Sequence, residues 1–326
     1  MSVKSKDGLI YGFVLDGQGG GKPVDLFHAA RWQPEQGLLW LHFDYTLPQT
    51  IDWINDTSGL DALVAEALLS EETRPRATPL GDAVLIALRG VNLNPGSDPE
   101  DMVSVRIWTD GKRIISTRKR RILSLTDLVG LIQSGDGPEN AGQFLSMLSE
   151  RLTERMKSTI EDIQDQAAEI EELILTAESY DLRNRISQLR RAIISLRRYL
   201  SPQKEAMQQL QIAQLSWLES PDRQSIGEES DHITRYTEEL DMIRERTAVA
   251  HEELTNRLAE QLNNRMYALS MVAAVFLPLG FLTGLLGINV GGMPGTDNSA
   301  AFWIVCALLT VTTTLQVWVF KRKQWL

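Results

Sequence analysis

The chain has 326 residues, with 43 acidic against 33 basic side chains and a formal net charge of −10; 43% of it is hydrophobic and 23% charged. Averaged in this way it reads as an acidic soluble protein, long enough for one large domain or two. A single cysteine, Cys306, excludes an intramolecular disulfide and a disulfide-stapled secreted scaffold, and the acidic balance excludes the clustered basic footprint of a nucleic-acid binder.

Residues 1–140 have the pattern of a mixed α/β domain. The apolar run Leu9–Leu15 contains Gly12, is followed by Asp16 and lacks a small-residue cleavage pattern, so it reads as a strand rather than a signal peptide. Further strands are expected at Leu38–Phe43, Ala83–Leu88, Val103–Trp108 and Arg113–Ser116, each bounded by Gly, Asp or Pro. Helical patterns fall at Ile51–Ser58, Leu60–Leu69 and Thr126–Gln133, which together predict a sheet covered by helices. Asp110-Gly111 predicts a tight antiparallel hairpin. Arg118-Lys119-Arg120-Arg121 reads as a solvated strand end or a patch pairing with acidic helices. Gly17 to Lys22 is glycine-rich, but its spacing fails as a phosphate loop and Pro23 replaces the required Ser or Thr, leaving a turn. No G-x-S-x-G is present, and no motif supports an enzyme.

Residues 141–220 predict a helical hairpin. Leu145, Leu148, Leu152, Met156, Ile160, Ile163, Ala167, Ile170 and Ile174 recur at three or four residues, the mark of a long amphipathic helix. A break near Ser179-Tyr180-Asp181 precedes a second helix with Ile186, Leu189, Ile193, Leu196 and Leu200 on one face, stopped by Ser220-Pro221-Asp222. Over 221–265 a stalk helix follows, with a coiled-coil-like seam of Ile233, Tyr236, Leu240, Ile243, Thr247, Ala250 and Leu254. No breaker separates it from the apolar run beyond, so the helix should extend to Leu286, roughly 97 Å at 1.5 Å per residue. Asp231-His232 and His251-Glu252 on this stalk are candidate metal ligands. Adjacent helical residues point about 100° apart, so each pair supplies at most one good ligand per chain and other copies would complete the site. His251 does not begin a metalloprotease motif, because Thr255 stands where the second His is required.

From Met266 to Thr296, and again after Asp297 as far as Phe320, there is no Asp, Glu, Lys, Arg or His. Residues 266–286 and 300–320 are each long enough to cross a bilayer, joined by a loop at 287–299 and followed by a basic tail at 321–326. Arg257 and Arg265 precede the first span and Lys321-Arg322-Lys323 follow the second, whereas the loop has no Lys or Arg; this places both termini in the cytoplasm. Two spans cannot enclose an aqueous route, so conduction would require a ring of copies. Met266, Leu269, Ser270, Ala273, Leu277, Gly280 and Gly284 share one face of the first span, suited to line a pore or to pack helices closely. Pro278 can kink this span, and Cys306 reads as a packing residue.

The loop begins Gly287-Ile288-Asn289 and continues to Met293-Pro294-Gly295, after the segments Tyr267 to Met271 and Phe276 to Leu285, and the chain closes with a basic tail ending Trp325-Leu326. In these residues, and in its whole architecture, the sequence resembles the CorA superfamily of divalent-cation channels and transporters. Glu71-Glu72-Thr73-Arg74-Pro75-Arg76 and the stretch Val103–Arg121 resemble the zinc-transporting ZntB branch. The resemblance implies an α+β membrane protein assembled as a funnel-shaped homopentamer: a cytoplasmic α/β domain, a stalk helix and two C-terminal spans in the bacterial inner membrane. It implies Gly287, Ile288 and Asn289 as the selectivity filter, the first span as pore wall, and Zn²⁺ as a transported ion rather than a bound cofactor, taken up by proton symport. The partners implied are other copies of the chain, lipid and divalent cations, with no nucleic acid. A ring of Asn289 amide oxygens would accept hydrogen bonds from a hydrated dication without capturing it, which suits magnesium. Zinc usually seeks His, Cys or carboxylate, so the loop chemistry does not itself select zinc. Gly295 stands where magnesium-type members carry an acidic residue, and Gly280 where the family often has a small hydroxyl. Neither span holds a carboxylate or His, so proton coupling would use cytoplasmic groups or pore water. A Mg²⁺, Co²⁺ or Ni²⁺ channel of the same superfamily is the alternative, and a two-span membrane-anchored coiled-coil sensor or scaffold is the alternative of another class.

Overall fold

Seven strands form one sheet in the order β2-β1-β3-β7-β6-β5-β4, with β1 at Leu9–Leu15, β2 at Gly21–Pro23, β3 at Leu38–Asp44, β4 at Arg76–Leu80, β5 at Ala83–Gly90, β6 at Val103–Thr109 and β7 at Arg113–Arg118. The computed structural model describes residues 7–71, 74–176, 180–287 and 298–323. Glu72, Thr73 and Ser179, to which the sequence reading assigned a family motif and a helix break, lie outside them. The chain divides into two units, Met1–His251 and Glu252–Leu326.

All five strands expected from periodicity are present in the first unit. The centre of the sheet is the parallel pair β3–β7, in which Leu41 lies opposite Ile115; every other pairing is antiparallel. Six of the seven residues of β3 are buried, because both faces of this strand are covered and its sequence is a continuous apolar run rather than an alternation. The two strands that periodicity missed, β2 and β4, are the two edges. Their residues are mostly exposed and each carries a proline, Pro23 and Pro79, which a sheet tolerates at its edge. The β1–β2 connection is the expected glycine turn: Asp16 Oδ1 accepts from the backbone N–H of Gln18 at 2.9 Å and of Gly20 at 3.0 Å.

Short helices α1 (Leu26–Ala29) and α2 (Pro48–Asp52) lead to α3 (Ala62–Leu69). Val64 and Leu68 of α3 pack on Leu39, Leu41, Phe43, Leu85, Trp108 and Ile115 to form the core on one face of the sheet. The C-terminus of α3 is satisfied from the sheet, where Thr117 Oγ1 donates to the Leu68 carbonyl at 2.6 Å and Arg106 Nη2 to that of Glu71 at 3.0 Å. The opposite face is covered by helices that follow β7: α4 (Leu123–Ser134), α5 (Ala141–Thr176) and α6 (Tyr180–Ile212). There the rings of Trp40 and Phe144 meet edge to face with centroids 4.9 Å apart. The apolar stripe of α5 is buried throughout, from Leu145 to Ile174, and so are Ile186, Leu189, Ile193, Leu196 and Leu200 of α6.

One expectation is corrected. The second hairpin helix does not run to Ser220; α6 ends at Ile212, and α7 occupies Ser220–Leu286. Residues 213–219 form a connector held by the Arg223 guanidinium, which donates to the carbonyls of Leu218, Gln211, Ala213 and Leu215. Five N–H donors in one planar group can satisfy the carbonyl oxygens that a helix end leaves unpaired. The connector also docks on the sheet: Ser216 N–H donates to Asp82 Oδ1 at 2.6 Å and Trp217 Nε1 to the Asp82 carbonyl at 2.7 Å. Within α6 itself Pro202 is tolerated, and Gln203 beside it exchanges hydrogen bonds with the backbone N–H and carbonyl of Arg89 on β5 at 2.6 and 2.9 Å. The cationic run after β7 pairs with loop carboxylates rather than acidic helices: Lys119 with Glu71, and Arg120 with Asp101.

The β6–β7 turn is the predicted hairpin, with Gly111 at φ +83 and a position where an added Cβ would lie 2.4 Å from Trp217 Cγ. Gly111→Ala is therefore expected to destabilise the protein by about 2 kcal/mol, from positive-φ strain and displacement of the indole; denaturant unfolding of the detergent-solubilised protein reads this. On β3, His42 is fully buried with Nδ1 2.9 Å from Ser116 Oγ, which also accepts from Trp40 Nε1 at 2.9 Å. Burial, reinforced by the Arg118 charge, holds the imidazole well below its ordinary value, against a smaller raising effect of Ser116. An unfolded imidazole takes up its proton near pH 6.5 and the folded one does not, so His42 favours folding above that pH and costs stability as pH falls below it. His42→Asn should remove up to about 1.4 kcal/mol per pH unit of the acid-side slope, measured as urea midpoints between pH 7 and 5.

Candidate ion pathway

The second half of α7 and helix α8 (Ala301–Arg322) supply the two uncharged segments, and none of either apolar window is buried. A helix satisfies all its backbone groups internally, so surface of this kind is stable only in hydrocarbon or against further protein. Every residue of the predicted stripe is exposed in the single chain: Met266, Leu269, Ser270, Ala273, Leu277, Gly280 and Gly284. A Cβ built on Gly280 or Gly284 meets nothing within 4 Å. The half-buried positions of this segment, Met271, Val275, Pro278, Leu279 and Leu282, recur on the other side of the helix. On α8 the half-buried series is Ala301, Val305, Cys306, Leu309, Thr312, Thr313, Gln316, Val319 and Phe320, which places Cys306 among packing residues as expected.

Between the two helices lies a groove of about 530 Å³, lined by Phe276, Leu279, Gly280 and Thr283 from α7 and by Leu309, Thr310, Thr313 and Thr314 from α8. Gly280 thus borders both the stripe and the groove. The hydroxyls point back along their own helices: Thr283 Oγ1 donates to the Leu279 carbonyl at 2.9 Å, and Thr310, Thr313 and Thr314 each donate to the carbonyl four residues earlier at 2.8 Å. Periodicity did not mark these threonines as one set; their signal is the run Thr310 to Thr314, spaced to meet Thr283 across the groove. Pro278 has no N–H to offer Ala274, so one carbonyl of the span is released from the ladder. At the helix end Gly287 N–H donates to the Thr283 carbonyl at 2.9 Å. Of the expected filter, Gly287 is described, while Ile288, Asn289 and residues 290–297 lie outside the described residues.

The stalk candidates are distributed along α7. Asp231 is exposed, and His232 Nδ1 lies 3.3 Å from Oε2 of Glu229, a buried carboxylate one turn earlier that the sequence reading left out and that only the i, i+3 spacing marks. His251 is half-buried and Glu252 exposed. Among the described residues no group of three or more His, Cys, Asp or Glu is arranged to hold a metal. Elsewhere on the stalk charges are spent on intrachain pairs: Arg246 grips Glu171 of α5 through Nε at 2.8 Å and Nη2 at 2.7 Å, and Arg197 of α6 meets Asp241 at 2.9 Å.

A family model described as CorA-like Mg²⁺ transporter protein matches residues 35–322. The chain is 43% identical to the divalent cation transporter CmaX of Pseudomonas aeruginosa, over 98% of this chain and 97% of that one. It is 36% identical to the zinc transport protein ZntB of Yersinia pestis, over 97% and 96% of the two chains. The structure of full-length CmaX is similar with a TM-score of 0.85 at 41% identity, covering 98% and 99% of the two chains. The CorA magnesium transporter of Methanocaldococcus jannaschii shares the fold, with a TM-score of 0.81 at 18% identity over 97% and 98%.

Proposed function

The chain belongs to the CorA family of ion transporters, and is not an enzyme; on that premise we propose that it carries Zn²⁺ across the bacterial inner membrane through a pore built by several copies. The observation that carries this reading is the uncharged stripe of α7, exposed from Met266 to Gly284 and shrinking from Met and Leu to Gly toward the loop. In a ring of five copies this stripe becomes the wall of a narrowing path, closed by Gly287, Ile288 and Asn289 as filter. Both termini lie in the cytoplasm, following the basic flanks. An Asn289 ring offers amide oxygens to the water shell of the ion, which allows passage without capture. Zinc as the cargo and proton symport as its driving force draw on the likeness to ZntB proteins. The net charge of −10 per chain would sum to about −50 over five copies and concentrate dications on the cytoplasmic side.

A Mg²⁺, Co²⁺ or Ni²⁺ pathway is the second reading, favoured by the absence of carboxylate, imidazole and thiolate groups from the first span and by a 43% identical relative named only for divalent cations. The anchored sensor or scaffold does not survive membership of a transporter family.

In proteoliposomes Asn289→Ala is expected to cut metal flux at least tenfold while leaving the oligomer intact; flux like the wild type overturns the filter assignment. Gly284→Leu has room on the isolated chain, so it should leave secondary structure and detergent stability unchanged yet block flux. Flux of Zn²⁺ against Mg²⁺, Co²⁺ and Ni²⁺, each with and without a proton gradient, separates the two readings: zinc flux that grows with the gradient supports the first, gradient-independent magnesium flux the second.

A further inference from the structure

The α/β domain holds a second, unrelated cavity of about 400 Å³, lined by Tyr45, Glu71, Arg89, Lys119, Arg120 and Tyr199 together with Asp101 to Ser104. Its floor is the polar end of the sheet face that α3 covers: Arg89 on β5 lies opposite Ser104 on β6 in register. Arg89 donates through Nη1 to the Met102 carbonyl at 2.8 Å, and its guanidinium carbon sits 4.0 Å from the centre of the Tyr199 ring.

Beneath the wall formed by Tyr45 and Glu71 lies Arg106, only 1% exposed. Its guanidinium carbon is 4.6 Å from the Tyr45 ring centre and its Nη2 donates to the Glu71 carbonyl at 3.0 Å, while Nε and Nη1 are buried with no hydrogen-bond partner among the described residues. An arginine stays charged when buried, and a buried charge with two idle donors is costly unless an anion lies close to it. Among the described residues three cationic side chains, Arg89, Lys119 and Arg120, line the cavity and Arg106 lies beneath its wall, against two lining carboxylates, Glu71 and Asp101, in a protein whose overall charge is −10. Both carboxylates are exposed at the rim, where Glu71 pairs with Lys119, and Asp101 with Arg120 at 2.5 Å. Exposed pairs of this kind are worth little, so a stronger anion can displace the carboxylates and take over their cations.

We propose that this cavity is a binding site for a phosphate group carried by a small molecule. Planar guanidinium forks grip phosphate oxygens in pairs, and Ser104 adds a hydroxyl at the floor. The volume lies within the range of small-molecule sites, about 300–1,000 Å³, and is larger than a bare phosphate requires; the tyrosines offer apolar surface to the rest of the ligand. Because β5, β6, the residues after α3 and Tyr199 of α6 all contribute, occupancy would also pin α6 to the sheet.

The test is calorimetric titration of the full-length protein in detergent with AMP, inorganic phosphate and adenosine. Saturable binding of AMP stronger than that of adenosine is expected; phosphate binding as well as AMP means that the free ion suffices, and AMP alone means that the ester is required. Arg120→Gln and Lys119→Gln should each weaken binding about tenfold, whereas Glu71→Gln and Asp101→Asn, which release the same cations, should each tighten it about threefold. All four side chains are about half exposed or more, so thermal unfolding without ligand should match the wild type and show that the domain is intact. No saturable binding of AMP or phosphate, adenosine binding as well as AMP, or affinities indifferent to all four substitutions would overturn the site.

Discussion

Two helices that bury none of their apolar windows inside the chain need a solvent other than water, and most of what this protein is depends on that constraint. In hydrocarbon the backbone must satisfy itself, which helical hydrogen bonding does, and within the first span Pro278 releases the carbonyl of Ala274. Side-chain hydroxyls follow the same rule: Thr283, Thr310, Thr313 and Thr314 spend their protons on their own helix. Among the exposed residues of the first span is a stripe without a charge that runs from Met266 and Leu269 to Gly280 and Gly284. Lining the proposed pore, such a stripe would offer an ion no charged ligand to hold it.

The N-terminal unit solves the opposite problem, that of a soluble sheet covered on both faces. Its strength lies in a few polar groups that serve several neighbours at once. Ser116 Oγ receives Trp40 and contacts His42; Arg223 gathers three carbonyls of one connector and one from the end of α6; Asp82 holds that connector onto the sheet. Ser116 and Asp82 join segments far apart in sequence, and Arg223 ties the start of α7 to the residues just before it. Their removal would leave buried donors or acceptors unpaired, a larger loss than that of one exposed ion pair. The same economy exposes the exception at Arg106, where two donors of a buried guanidinium have no hydrogen-bond partner among the described residues.

Periodicity revealed most of the elements for a simple physical reason: a residue that faces a core must be apolar, and a helix or strand returns it to the core at its own interval. The stripe of α5 and the seam from Ile233 to Ala250 were legible in this way and are buried, apart from the half-buried Tyr236. The edge strands β2 and β4 were not, since an edge facing solvent imposes no alternation and admits proline. The end of α6 was misplaced because the residues that stop it are not at the stop: Arg223 and Asp82 reach it from the next helix and from a strand turn. Glu229 beside His232, and the threonine set facing Thr283, were hidden for a related reason, since each depends on a neighbour one turn away or on another helix.

Composition and spacing alone determined that the chain has an α/β part, a helical hairpin, a long helix and two uncharged segments, because each follows from local burial or from the length of hydrocarbon to be crossed. Motif likeness added the family. Tertiary structure alone decided the parallel pairing of β3 with β7, the connector latched on Asp82 and Gly111, and the gathering of Arg89, Lys119 and Arg120 around one cavity with Arg106 beneath its wall. Arg89 sits on β5, Arg106 on β6, and Lys119 and Arg120 just after β7, with no common spacing. Only the closing of the sheet brings their charges together, and a linear pattern carries no trace of a juxtaposition made by register.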